Sequence, residues 1–182
     1  MKKRLIMAGL LLSTLVNATD RPYFEGKVLT IPSIDVKSEA AVYQDVKFEY
    51  TQKNSWALLS FQRGKKIQEI TQVNLIETND FPKQVFLNIS GVFNNGCQQL
   101  GQIATQITDN LIETSVFYNN EHINNPFCTM VMTPFSQAIP LPVYGLKAGT
   151  YHYNINHNFT GSFTLSRDNF FRNNSKTLNT VK

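Results

Sequence analysis

The chain is predicted to be all-β, with a small N-terminal β-meander followed by an antiparallel β-sandwich. Three observations carry that prediction. Apolar residues recur with period two along much of the 182-residue sequence, the spacing of strands with one buried face. Turn-forming residues interrupt the pattern at short, regular intervals, as they do in sandwiches. Beyond residue 18 no long stretch repeats its apolar residues at helical spacing.

The first eighteen residues stand apart from that pattern. Lys2, Lys3 and Arg4 precede an apolar run over 5–16, and Val16 and Ala18 offer modest or small side chains to a signal peptidase. This is the layout of a secretory signal, with cleavage between Ala18 and Thr19. The alternative, a membrane anchor, needs a longer run to cross ~30 Å of hydrocarbon. No second long apolar run follows, so no integral membrane segment is expected once the signal is removed, and the mature protein is expected to be periplasmic or secreted. The signal also accounts for most of the +4 charge. It holds three of the seventeen Lys and Arg residues and none of the thirteen acids, leaving +1 on the mature chain. Four bases and one acid fall in 167–182, so the body between carries −2. A nucleic-acid partner gathered by a basic face is not expected.

The meander is expected over 19–78. Strand patterns run over 27–31 and 34–36, divided by Pro32, then over 42–51, where Val46, Phe48 and Tyr50 alternate with Lys47 and Glu49. Turn residues at 53–55 lead to a return strand at 56–62, and Arg63-Gly64-Lys65-Lys66 turns the chain into an extended stretch at 67–77. Lys65 and Lys66 read as a solvated tip. Trp56 with Tyr43, Phe48 and Tyr50 admits two readings, a platform for sugar or peptide or simple core, and alternate aromatic positions in strands favour core.

The sandwich is expected over 79–166, opened by the turn Asn79-Asp80-Phe81-Pro82. Seven short strands are read at 84–93, 100–108, 111–118, 130–132, 139–144, 150–156 and 159–165. Pro140 and Pro142 place their segment at a sheet edge or crossover. Leu146-Lys147-Ala148-Gly149-Thr150-Tyr151 matches the Leu-x-x-Gly-x-Tyr of a tyrosine corner, in which the Tyr151 hydroxyl bonds backward to the backbone. That makes the sandwich immunoglobulin-like, although no cysteine follows Tyr151 two positions on. Residues 167–182, with Phe170 and Phe171 among Asn, Arg and Ser, read as a disordered tail. Asparagine pairs at 94–95, 119–120, 124–125 and 173–174 read as turns.

Export into an oxidising space makes Cys97 and Cys128, the only cysteines, a predicted disulfide. Both sit in loops beside turn residues, Gly96 and Pro126. A catalytic thiol would need a base, and His122 is the only one at short range. No metal is expected, because two cysteines and three scattered histidines give no ligand spacing. His152 and His157 differ by an odd number and would face opposite sides of a strand. Asp109 and Glu113 read as turn polarity. No Gly-x-Ser-x-Gly, His-Glu-x-x-His, phosphate loop or dinucleotide fingerprint occurs, and no cofactor is expected.

Gly96-Cys97, the second cysteine, Pro134-Phe135 and Ile139 through Tyr151, with its Gly-Leu-x-Ala-Gly-Thr-Tyr segment, resemble a family of bacterial secreted domains with no established activity. Leu29-Thr30-Ile31-Pro32-Ser33-Ile34-Asp35-Val36 resembles a short β segment of other exported bacterial proteins. The resemblance implies a sandwich and an exported location, and no catalytic role. The expected function is an exported, non-catalytic binding or structural module of the bacterial envelope. Its partner would be an envelope or extracellular protein or a glycan. The alternatives are an inhibitor or shield against an extracellular hydrolase, or a hydrolase without a recognisable motif.

Overall fold

A computed structural model of the chain describes residues 21–37, 39–119 and 127–171. The expected signal, the Ala18–Thr19 junction and His122 lie outside them. The described residues form eleven strands and no helix. β1 (Tyr23–Glu25), β2 (Val28–Val36), β3 (Glu39–Tyr50) and β4 (Trp56–Arg63) make one antiparallel sheet in sequence order. Pro32 does not divide β2 as the pattern suggested. The β2–β3 register passes over it, pairing Ile31 with Val46 and Ser33 with Gln44, while Asp45 opposite takes a left-handed φ of 49°.

The sandwich has two sheets. β5 (Ile70–Glu77), β6 (Val85–Phe93) and β9 (Thr133–Pro140) form one, with β6 central. β7 (Leu100–Thr108), β8 (Leu111–Tyr118), β10 (Gly149–Ile155) and β11 (Phe159–Leu165) form the other, in the order β7-β8-β10-β11. Strict alternation on β6 buries Val85, Leu87, Ile89 and Phe93. They share one core with Ile112 and Val116 of β8, Tyr151 and Ile155 of β10, and Phe163 of β11.

Several expectations are corrected here. The boundary at 78/79 cuts β5 from its partner: Val73 pairs with Ile89 and Leu75 with Leu87, so the sandwich begins before the Asn79–Pro82 turn. One strand, β9, replaces the two read at 130–132 and 139–144. It lies along all of β6 from Phe93↔Thr133 to Phe86↔Pro140, on a sheet edge that tolerates its prolines. β8 and β10 run parallel, His152 pairing with Leu111 and Ile155 with Thr114. A parallel pair requires a crossover, and β9 supplies it by carrying the chain to the opposite sheet and back.

Lys65 and Lys66 are not a free tip. Tyr118 N–H donates to Lys65 O at 2.9 Å, Lys66 bridges to Phe117, and its ammonium pairs with Glu39 at 2.9 Å. The turn thus seals the N-terminal sheet onto β8. Gly64 is required there, since a Cβ would stand 2.6 Å from the Phe117 ring.

Two asparagines act as internal stitches. Asn156, left-handed at φ 50°, accepts Val116 N–H at 2.8 Å and donates to Ile67 O and Val116 O, both at 3.0 Å. Asn169 accepts Lys83 N–H at 2.7 Å and donates to Lys83 O at 2.8 Å and Val143 O at 3.0 Å. It is 1% exposed, so the expected tail does not begin at 167. Arg167 lies over the Phe81 ring at 3.6 Å, and Phe171 meets that ring edge-on.

Candidate binding surface

Cys97 and Cys128 form a disulfide with Cα atoms 5.4 Å apart, tying the β6–β7 loop to the segment before β9. A paired sulfur is no nucleophile, which removes the thiol-enzyme reading. The Tyr151 hydroxyl donates to Lys147 O at 3.0 Å, with Leu146 packed against the core. Gly145, at φ 87°, takes a backbone conformation that a side chain would resist. Gly149 follows it at the head of β10. His152 and His157 are both exposed, His157 in the turn closed by Asn158 N–H to Ile155 O. Among the described residues, no group of three or more His, Cys, Asp or Glu side chains is gathered as a metal site would need.

Glu69 sits beside the disulfide loop and accepts from the Tyr118 hydroxyl, from Asn94 Nδ2 at 3.3 Å and from Gln98 Nε2 at 3.1 Å. Burial, and then the hydrogen bond and negative charge of Glu69, push the Tyr118 phenol up to about 12 from 10.0. A folded-state value above the unfolded one contributes stability that is complete below pH 10 and lost as pH rises through 12. The melting temperature is therefore expected to fall more steeply over that window in the native chain than in Tyr118→Phe. Phenolate absorbance should show one late-titrating tyrosine that the variant lacks.

An exposed aromatic cluster lies on the N-terminal sheet. β3 packs against β7 and β8, where Ala40, Ala41, Val42 and Val46 are buried. Beyond that contact the sheet projects. Phe24, Leu29, Phe48 and Leu58 form a row across its four strands by direct pairing. Tyr50 and Trp56, paired across the next rung but one, continue the same face. Phe24 is 64% exposed and Trp56 48%. The Trp56 ring lies 5.2 Å from Tyr50 and 5.9 Å from Phe24, inclined by 60° and 50°. The surface is ridged, not flat. The core reading of Trp56 and Tyr50 is thus overturned, because alternation marks which residues share a face and not whether that face is covered. Phe24 and Leu58 were missed altogether. The unbroken apolar Trp56-Ala57-Leu58-Leu59 was the available signal.

Two concavities are weaker candidates. Glu39, Lys66, Glu113, Asn156 and His157 border a cleft with room for about one water. Pro82, Val85, Pro142, Tyr144 and Phe171 line an open apolar groove together with Lys83, whose ammonium pairs with Glu77 at 2.6 Å.

Two sheets closed over one core and tied by a disulfide define a β-sandwich protein. Within it, residues 87–165 match the family described as the ORF11 beta-sandwich domain. That match runs from the third residue of β6 to the end of β11 and leaves the whole N-terminal sheet outside it. No curated protein and no solved structure matches the chain. Among the described residues no helix is long and apolar enough to cross a membrane.

Proposed function

We propose that the chain is an exported, non-catalytic binding module of the bacterial envelope, with the outer end of its N-terminal sheet as the recognition surface. The observation that carries this reading is the exposed cluster of Phe24, Tyr50 and Trp56, flanked by Leu58. Exposed apolar patches on a folded protein mark interaction sites, and Trp and Tyr are enriched among residues that dominate binding energy. Inclined rings with apolar neighbours suit a protein surface better than the flat face of a sugar. The family match covers sandwich strands and not the N-terminal sheet, and in this reading the sandwich is the frame that carries the sheet. The disulfide and the signal-like N-terminus suit an oxidising compartment.

Trp56 is the only tryptophan, so its fluorescence reports on this surface directly. Immobilised protein is expected to retain a specific protein from envelope extract, and adding that protein should shift Trp56 emission to the blue. Trp56→Ser should weaken binding by roughly thirtyfold, the loss of about 2 kcal/mol typical of a central aromatic, and Phe24→Ser should weaken it by less. Retention unaffected by both substitutions would sink the proposal.

A further inference from the structure

We infer that β4 is completed by a second copy of this chain. The two β4 strands would lie antiparallel, edge to edge, joining two four-stranded sheets into one of eight. The inference rests on the N-terminal sheet being the recognition surface, and it adds a second copy of the chain as a partner along the edge of that surface.

Another edge strand of this chain is blunted. β9 carries Pro134 and Pro140 near its two ends, an ordinary way of discouraging a strand from pairing further. β4 lacks that device: from Trp56 to Gln62 it holds no proline and no charge, and its pairing with β3 is irregular only between Leu58 and Gln62. Trp56 and Leu58 lie on the Phe48 face, while Phe61 contacts Tyr43, whose partner Ile34 lies on the opposite face from Leu29. Apolar side chains on both faces characterise a strand whose two faces are both covered. Yet Trp56, Leu58, Leu59 and Phe61 are 48%, 53%, 51% and 50% exposed, and the outer edge of β4 has no strand beside it among the described residues.

The unpaired N–H and C=O groups of that edge select an extended strand as occupant. Its own copy fits in two respects. The uncharged stretch opposes no like charges when laid against itself, in any register. Antiparallel pairing also brings Arg63 of each copy to the Trp56 end of the other and keeps the two Arg63 side chains apart, so a guanidinium meets an indole. The contact is isologous and closes as a dimer.

Sedimentation of the purified exported protein across the micromolar range is the test. The expected mass rises from one chain to two with concentration, and Trp56 emission moves to the blue in step. Leu58→Lys and Leu59→Lys should each shift dimerisation to at least about tenfold higher concentration. Both positions are half-exposed, so the fold should persist, checked by circular dichroism. Ile76→Lys, on the exposed edge of β5, should leave dimerisation unchanged. A one-chain mass throughout, or a dimer indifferent to both β4 lysines, overturns the inference. If a one-chain protein still holds an envelope partner through Trp56, only the pairing of copies falls. If neither is seen, the recognition surface falls with it.

Discussion

Asn156→Ala is expected to destabilise the protein by about 3–5 kcal/mol, a large share of the 5–15 kcal/mol typical of a domain. The side chain supplies partners to two backbone groups far from it in sequence. Val116 N–H and Ile67 O both turn toward it, and both are buried with their strand neighbours. Val116 O retains Ile67 N–H at 3.0 Å and is not orphaned. Each orphaned buried group costs roughly 1–3 kcal/mol, and alanine also pays about 1 kcal/mol at the left-handed φ of 50°. Asn156→Gly separates the two contributions. It relieves the backbone but leaves the same orphans, so it should be milder than alanine by about 1 kcal/mol. Chemical denaturation of the three proteins measures both differences. Equal stability of the native chain and Asn156→Gly would show that the amide contributes nothing.

Cys97→Ser and Cys128→Ser should each cost on the order of 2–4 kcal/mol, and by similar amounts, because either opens the same loop. The cysteines are 31 positions apart, for which chain entropy gives about 3–4 kcal/mol before strain. The double variant should be little worse than either single one, as two sulfurs of one bond act as a unit. All three should still fold. The Cys97 loop is held independently by Asn95 Oδ1, which accepts from Cys97 N–H at 3.0 Å and Gln98 N–H at 3.1 Å, and by Gly96 N–H to Thr129 O at 3.0 Å. Thiol labelling of the native protein should find no free sulfur. A strongly unequal pair of single variants, or one labelled cysteine in folded material, would count against the bond as a simple staple.

How much of this was legible depended on whether the deciding interaction is local. β6 could be read directly, since Val85, Leu87, Ile89 and Phe93 alternate with polar or small residues. β9 could not. Gln137 occupies an alternate position between Phe135 and Ile139, and prolines stand near both ends, so its identity comes from β6 lying beside it. β5 was assigned to the wrong side of a boundary for a related reason. The Asn79–Pro82 turn is a local signal, but the partner of a strand is not. The site was legible only in part: the aromatic residues were noticed, and the absence of anything over them was invisible. Asn156 and Asn169 were hidden among many asparagines in turns, although their hydrogen bonds reach across 26 to 89 positions.

The order of strands in the N-terminal sheet has a consequence for how the chain acquires its structure in time. Each pairing there joins neighbours in sequence, so every step closes a short loop and can proceed as soon as β1 through β4 have been synthesised. The sandwich must wait, because Phe86 needs Pro140 and Ile112 needs Tyr153. The N-terminal sheet is therefore the first part able to pair its strands, while the face of β3 that holds Ala40, Val42 and Val46 waits for β7 and β8. Its apolar outer strand stands complete while the later half of the protein is still unmade, and newly synthesised chains held close together would meet at that strand before their sandwiches exist.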